Sequence, residues 1–265
     1  MAKVIAVCNQ KGGVGKTTTS INLAACLSAA ERKTLIVDMD PQSNTTTGLG
    51  LNKNEIDYSV YDVITSSSEF TDHVKADNAI IHVESIKYLD ILPSTPDLAG
   101  AEIELVNVIA REKRLDTALN SVKCNYDYII IDSPPSLGLL TVNVLTAADS
   151  VLIPIQCEYY ALEGLAELLN TIRLVQKSLN SKLVIEGALL TMFDNRLNLS
   201  RQVAEDVRSC FSGKVFDVVI TRNVKLSEAP SFGKPIILYD IMSSGAENYL
   251  NLAKEIMQNE QTTSS

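Results

Sequence analysis

An α/β fold, with a doubly wound, mostly parallel sheet and helices on both faces, is predicted by three features of the sequence. Short apolar runs alternate with stretches of helical periodicity along the whole chain, the pattern that builds a parallel sheet from strand–helix–strand units. Two of these runs end in an acid, at Asp38 and Asp132, so carboxylates are delivered to one edge of the sheet. A turn with three glycines in four residues, Gly12, Gly13 and Gly15, separates the first apolar run from the first helical pattern. No linker and no repeat of about 20–50 residues interrupts the series. Residues 1–257 are therefore read as one domain, and 258–265 as a polar tail.

The elements follow in order. Val4-Ile5-Ala6-Val7-Cys8 reads as a buried strand, and Ile21, Leu23, Ala24 and Leu27 place a helix starting at about Lys16. Residues 33–38 form a second strand, closed by the polar Met39-Asp40-Pro41-Gln42-Ser43-Asn44, where Pro41 cannot donate to a ladder. Residues 45–50 read as a flexible segment, 59–64 as a short helix and 66–68 as a loop. Residues 88–94 are a short strand; Thr95-Pro96 fits an N-cap followed by proline, with Leu98, Ala101, Leu105 and Ile109 on one helical face. The run Arg111-Glu112-Lys113-Arg114 reads as a solvated face. Strands are expected at 128–132, 150–155, 183–191 and 215–220. Helices are expected at 139–148, 161–179, 199–211 and 244–257.

The glycine-rich turn carries the chemistry. Strand, glycine turn and helix in this order are the setting of a phosphate-binding loop, and Gly15-Lys16-Thr17 matches the end of the G-x-x-x-x-G-K-[ST] pattern. Without Cβ atoms the glycines let backbone N–H groups approach an anion, and the helix N-terminus adds its positive dipole end. Lys16 is expected on the β/γ-phosphates and Thr17 on Mg²⁺. Lys11, just before Gly12, departs from the pattern. A plain turn with solvated lysines would not require that glycine density. In open parallel sheets ligands sit beyond the carboxyl ends of strands, so Asp38 and Asp40 arrive beside this loop. Asp40 is expected to orient a water and Asp38 to support Mg²⁺ through its waters, in place of simple turn or capping roles. Tyr128-Ile129-Ile130-Ile131-Asp132, ended by Ser133-Pro134-Pro135, has the Walker B form and places Asp132 at the metal shell.

Bulk properties narrow the classes. With 265 residues, 46% hydrophobic and 21% charged, the chain can bury a full core. No stretch reaches the ~18 uncharged apolar residues of a membrane helix, and no signal peptide is expected. Cys8, Cys26, Cys124, Cys157 and Cys210 are scattered and odd in number; they are expected to be buried free thiols in a reducing cytoplasm. His73 and His82 lack ligand spacing and read as surface residues. A net charge of −9 opposes a globally basic nucleic-acid binder but leaves room for a local patch, because screening confines charge effects to about 10 Å at 0.1 M salt. Arg196, Arg201, Arg222, Lys225 and Lys234 fall in loops or helix starts after the last strands. Residues 221–231 form a turn-rich candidate base-contacting loop.

Taken together, these residues resemble a known family. Lys11-Gly12-Gly13-Val14-Gly15-Lys16-Thr17-Thr18 is similar to the deviant Walker A motif. With Asp38-Met39-Asp40-Pro41-Gln42, Asp132-Ser133-Pro134-Pro135 and residues 222–231, the chain resembles the ParA/Soj chromosome- and plasmid-partitioning ATPases over nearly its whole length. The resemblance implies a P-loop ATPase using ATP and Mg²⁺. Residues 11–18 would hold the nucleotide, and Lys11 would reach the partner's nucleotide across an ATP-dependent sandwich homodimer. It further implies that Asp40 positions the attacking water, with Thr17, Asp38 and Asp132 on the metal side. Asn223 would lie at the adenine, and Arg196, Arg222 and Lys225 would bind nonspecific double-stranded DNA. Lys225 is arginine in some relatives, so the charge is kept and the bidentate fork is lost. A ParB-like centromere-binding partner would stimulate hydrolysis in a cytoplasmic, nucleoid-associated protein. Two alternatives come from other classes. A MinD-like membrane-surface ATPase that places the division site requires a basic amphipathic C-terminal helix, which the polar tail does not supply. A metallocluster reductase like the nitrogenase iron protein requires paired interface cysteines, which the spacing here does not suggest.

Overall fold

The computed structural model describes residues 2–66, 74–158, 164–211 and 213–263. Among the described residues seven strands form one sheet: β1 (Lys3–Val7), β2 (Thr34–Asp38), β3 (Ile81–His82), β4 (Leu89–Leu92), β5 (Tyr128–Asp132), β6 (Ser150–Gln156) and β7 (Val184–Thr191). Their order is β3-β4-β2-β5-β1-β6-β7, and every pairing is parallel except the short antiparallel β3–β4. Alternation along each strand divides the core. Val4 and Ala6 of β1 join Ile129 and Ile131 of β5 on one face, while Ile5 and Val7 join Tyr128 and Ile130 on the other. Both faces are covered, which is why these strands read as continuous apolar runs in the sequence.

The second of those faces is covered by α1 (Lys16–Ala29) and α12 (Ser244–Thr263). The first is covered by α3 (Val60–Thr65), α5 (Leu98–Glu104), α6 (Arg114–Asn120), α7 (Leu139–Ala147), α8 (Leu165–Ser178) and α9 (Asn198–Cys210). Shorter helices are α2 (Asn44–Gly48), α4 (Ala76–Ala79), α10 (Val224–Glu228) and α11 (Ile236–Tyr239). The doubly wound architecture is as the sequence predicts.

Several local readings need correction. Residues 45–50 are not loose: they include most of α2, with Thr45 and Thr46 buried. The expected strand at 215–220 is an irregular segment beside β7: the Phe216 and Ile220 amides donate to the Ala188 and Leu190 carbonyls, but the pairing is broken into isolated bridges at Ala188–Val215 and, just past both elements, Phe193–Thr221. The amides of Asp217 and Val218 bond the Glu255 carboxylate of α12 instead of a ladder. Thr95 and Pro96 form a turn ahead of α5 rather than its cap, and Ile109, beyond the end of that helix, is 92% exposed. Arg114 is not part of a solvated face, because its guanidinium turns inward to the Ile64 and Ser66 carbonyls. Cys124 and Cys210 are exposed, so only Cys8, Cys26 and Cys157 are buried thiols. Helix α12 continues to Thr263, and Glu260 accepts a hydrogen bond from the Tyr128 hydroxyl and pairs with Lys3. His82 is exposed and bonds Asp90, whereas His73 and residues 161–163 of the expected long helix lie outside the described residues.

Candidate nucleotide and metal site

The glycine turn joins β1 to α1 at the carboxyl edge of the sheet, and both flanks fix it. Asn9 Nδ2 donates to the Pro154 carbonyl of β6 at 2.6 Å, and Asn9 Oδ1 accepts from the Lys11 amide at 3.0 Å. Thr191 at the end of β7 donates to the Val14 carbonyl at 2.8 Å. Gly13 and Gly15 hold φ of 74° and 90°, a region that side chains resist. A Cβ built on Gly12 or Gly13 would meet nothing within 4 Å, so the space over the loop is open. Here α1 begins, with its first N–H groups unpaired by the helix itself. This is a cradle suited to an anion.

Lys16 is 7% exposed and its Nζ donates to the Lys11 carbonyl at 3.0 Å, closing the loop on itself. Burial pulls the Lys16 ammonium below its ordinary pKa, and the Asp132 carboxylate opposes that. Lys11 is half-buried, and its ammonium has no bonded partner among the described residues. Thr17 donates its hydroxyl proton to Asp132 Oδ2 at 2.8 Å, leaving its oxygen lone pairs for a cation. Thr18, one residue on, gives its carbonyl to Asn22.

Adjacent strands carry Asp38 and Asp132 in register, and both are fully buried. Asp132 Oδ2 accepts from Thr45 as well as Thr17, at 2.7 Å, and Oδ1 accepts from Ser20 at 2.9 Å. Burial raises the Asp132 carboxyl, while these three hydroxyls and Lys16 pull it back. Asp38 Oδ2 accepts from the Thr46 amide and hydroxyl at 2.9 and 2.7 Å, and Oδ1 accepts from the Asp40 amide at 3.1 Å. Burial first, then the Asp132 charge, push Asp38 up to about 7. Asp38 thus organises the turn that carries Asp40. Asp40 is buried, accepts from the Gln42 amide at 2.9 Å through Oδ1, and is held through its carbonyl by Ser94. The structure brings residues 11–18, Asp38, Asp40 and Asp132 to one edge.

Sequence reading missed the hydroxyls that join these groups: Ser20, Thr45, Thr46 and Ser94. The only available signal was the triplet Thr45-Thr46-Thr47 after an acid-ended strand, and such a triplet reads equally well as a flexible turn.

The remaining candidates lie apart from the cradle's floor. Asn223 caps α10 by accepting from the Lys225 amide at 2.8 Å, and its Nδ2 donates to Ser244. The segment after it packs on α1 and α2: the Ile236 amide donates to Asn22 at 2.7 Å, and Pro230 lies beside Gly48. The three predicted DNA contacts are exposed, and each is already paired with an acid: Arg196 with Asp194, Arg222 with Glu158 and Lys225 with Glu228. Arg196 holds the Asp194 carboxyl down to about 2.

A family model described as an AAA domain, AAA_31, matches residues 2–185. The chain is 60% identical to the sporulation initiation inhibitor protein Soj of Bacillus subtilis, over 98% of this chain and 100% of that protein. It is 56% identical to the chromosome partitioning protein ParA of Myxococcus xanthus, over 97% of this chain and 89% of that one. Among solved structures, cobyrinic acid a,c-diamide synthase from Mycobacterium smegmatis with bound ADP and magnesium is similar at a TM-score of 0.86. The two chains are 36% identical, with coverage of 99% and 97%. The cell division ATPase MinD of Pyrococcus furiosus is similar at a TM-score of 0.77 and 25% identity, with coverage of 97% and 99%.

Proposed function

This chain belongs to the ParA/Soj family of partitioning ATPases, and from that premise we propose that it is an ATP-driven DNA-partitioning ATPase. The observation that carries the reading is the meeting of Lys11, Lys16, Thr17 and Asp132 at one strand edge, beneath an open glycine loop. The donor set fits a nucleoside triphosphate with magnesium: backbone N–H groups and two lysines for phosphates, and a hydroxyl and buried carboxylates for a hard cation. Residues 11–18 would hold the phosphates, and Thr17 and Asp132, with Asp38 behind them, would hold the metal or its waters. When bound, magnesium supplies positive charge at the phosphate oxygens.

Within the chain, Lys16 neutralises phosphate charge from inside the loop, and Asp40 orients the attacking water. Lys11, with its ammonium uncommitted, acts across a sandwich homodimer as an arginine finger does. Asn223 and its neighbours border the base. Dimerisation doubles the set Arg196, Arg222 and Lys225, whose phosphate contacts sum on one nonspecific DNA duplex in the nucleoid. A ParB-like partner stimulates hydrolysis and releases the DNA. The MinD-like alternative is not favoured by α12: among the described residues Ala246, Tyr249, Leu252, Ala253 and Ile256 bury its apolar stripe in the core shared with α1.

DNA binding measured with ATP, ADP and no nucleotide, across a salt series, tests the reading. Binding that requires ATP and weakens steeply with salt is expected, and Lys11→Ala should lose both dimerisation and DNA binding. ATP-independent DNA binding, or a Lys11→Ala protein equal to the parent, would overturn it. Vesicle co-sedimentation with ATP is expected to be negative.

A further inference from the structure

We infer that Thr45 is a positioning residue for Asp132, carried by a short helix whose far end is set by the segment expected at the base. The inference rests on the ATPase reading above. Thr45 and Thr46 are adjacent and fully buried, and they serve different carboxylates: Thr45 donates to Asp132 Oδ2 at 2.7 Å, and Thr46 to Asp38 Oδ2 at the same distance. Thr46 also accepts from the Ser94 amide, so one turn of α2 ties together the ends of β2, β4 and β5.

The oxygen that Thr45 holds is the one to which Thr17 donates. With Thr45 present, that oxygen is gripped from α1 and from α2, and its direction does not depend on Thr17 alone. Replacing the Thr45 hydroxyl by a methyl leaves the buried Asp132 carboxylate one protein donor short. Groups that orient metal-site residues in this way typically change metal affinity about 10–100-fold when removed.

Helix α2 is packed closely against its neighbours. A Cβ on Gly48 would fall 2.6 Å from Ile21 Cδ1 of α1. Beyond it, Gly50 (φ 87°) and Gly233 (φ 62°) meet backbone to backbone, and a Cβ on Gly233 would fall 2.5 Å from Gly50 Cα. Gly233 ends the turn Ala229–Phe232, which follows α10 and Asn223. The base-side segment and the carboxylate edge are therefore joined through one closely packed insert.

The test uses the full chain with a fluorescent ATP analogue, titrated with Mg²⁺, for the parent, Thr45→Val, Thr45→Ser and Gly233→Ala. Nucleotide affinity without Mg²⁺ and thermal unfolding of the apo protein are measured alongside. Thr45→Val is expected to raise the Mg²⁺ concentration for half-maximal effect about tenfold while Mg²⁺-free nucleotide affinity stays within about twofold. Thr45→Ser should restore the parent value, and Gly233→Ala should shift it in the same direction as Thr45→Val. A merely structural Thr45 would move the unfolding midpoint and not the Mg²⁺ requirement, which would overturn the inference, as would Thr45→Ser behaving like Thr45→Val. An unchanged Mg²⁺ requirement in Gly233→Ala would overturn the link through α2. If Thr45→Val does not fold, Thr45→Ala removes the same hydroxyl from a smaller side chain. A parent that binds no nucleotide, or is indifferent to Mg²⁺, fails the ATPase reading itself; a Mg²⁺-dependent parent matched by Thr45→Val fails only this inference.

Discussion

At the ends of β2 and β5 two carboxylates are wholly buried, and hydroxyls and amides from α1, α2 and the Asp40 turn claim their oxygens. Beyond β7 three cations, two in loops and Lys225 on α10, stand in solvent, and each rests on one neighbouring acid. Both regions pair charge with partner, yet the physics differs. A buried carboxylate stripped of its donors pays the full desolvation penalty of an unmet charge. Exposed ion pairs are worth little, so a cation there can exchange its carboxylate for a phosphate at small cost. The carboxylate edge is preorganised, whereas the basic rim is exchangeable. On the proposed reading, this is how a chain of net charge −9 would still present cations to DNA, with the acids beside them as placeholders.

The largest effect that sharpens this contrast is expected at Lys16. Lys16→Ala removes the buried cation of the loop, and ATP hydrolysis, followed by phosphate release, should fall about 100- to 1,000-fold. A rate within tenfold of the parent would show that the loop does not work through preorganised charge. At the rim, Arg222→Ala and Lys225→Ala should each weaken DNA binding for all sequences and reduce the slope of log affinity against log salt by about 1. An unchanged slope would remove that residue from the interface.

A smaller effect concerns pH. The folded-state pKa of Asp38 lies at about 7, above its unfolded value. Its contribution to stability is therefore present at low pH and is lost as pH rises through about 7. Between pH 5 and pH 8, the nucleotide-free parent should lose stability relative to Asp38→Asn, as read by urea unfolding at both values. The smallest effect belongs to Arg196→Ala: the guanidinium itself stands in solvent although its partner Asp194 is partly covered, and the thermal midpoint should not move measurably.

The parts legible in the sequence were those with a repeating or local signature. Buried parallel strands announce themselves as apolar runs, and the glycine spacing with Lys16 and Thr17 marks the loop by sequence alone. What was not legible depended on contacts across the chain. Thr45 meets Asp132 from 87 positions away, and Ser20 meets it from 112. Nothing within the local run of threonines distinguishes a buried brace from a polar turn. The segment at 215–220 misled for a related reason: its β-branched composition fits a strand, and Phe216 and Ile220 do bond β7, but Glu255 intercepts the Val218 amide between them and breaks the ladder. Arg114 likewise sits in a charged run whose sequence gives no hint that one member turns inward.

The two borders of the sheet have a consequence for how copies of this protein can associate. One border ends in β3, a two-residue antiparallel strand, with the His82–Asp90 pair across it. At the other, the irregular stretch along β7 spends two of its amides on Glu255 of α12. Neither border offers a long, regular row of free amides and carbonyls, so strand-to-strand addition, the usual route to runaway polymers, is blocked on both sides. On the proposed reading, self-association would fall instead at the loop-bearing end of the strands, where it would close on itself as a pair.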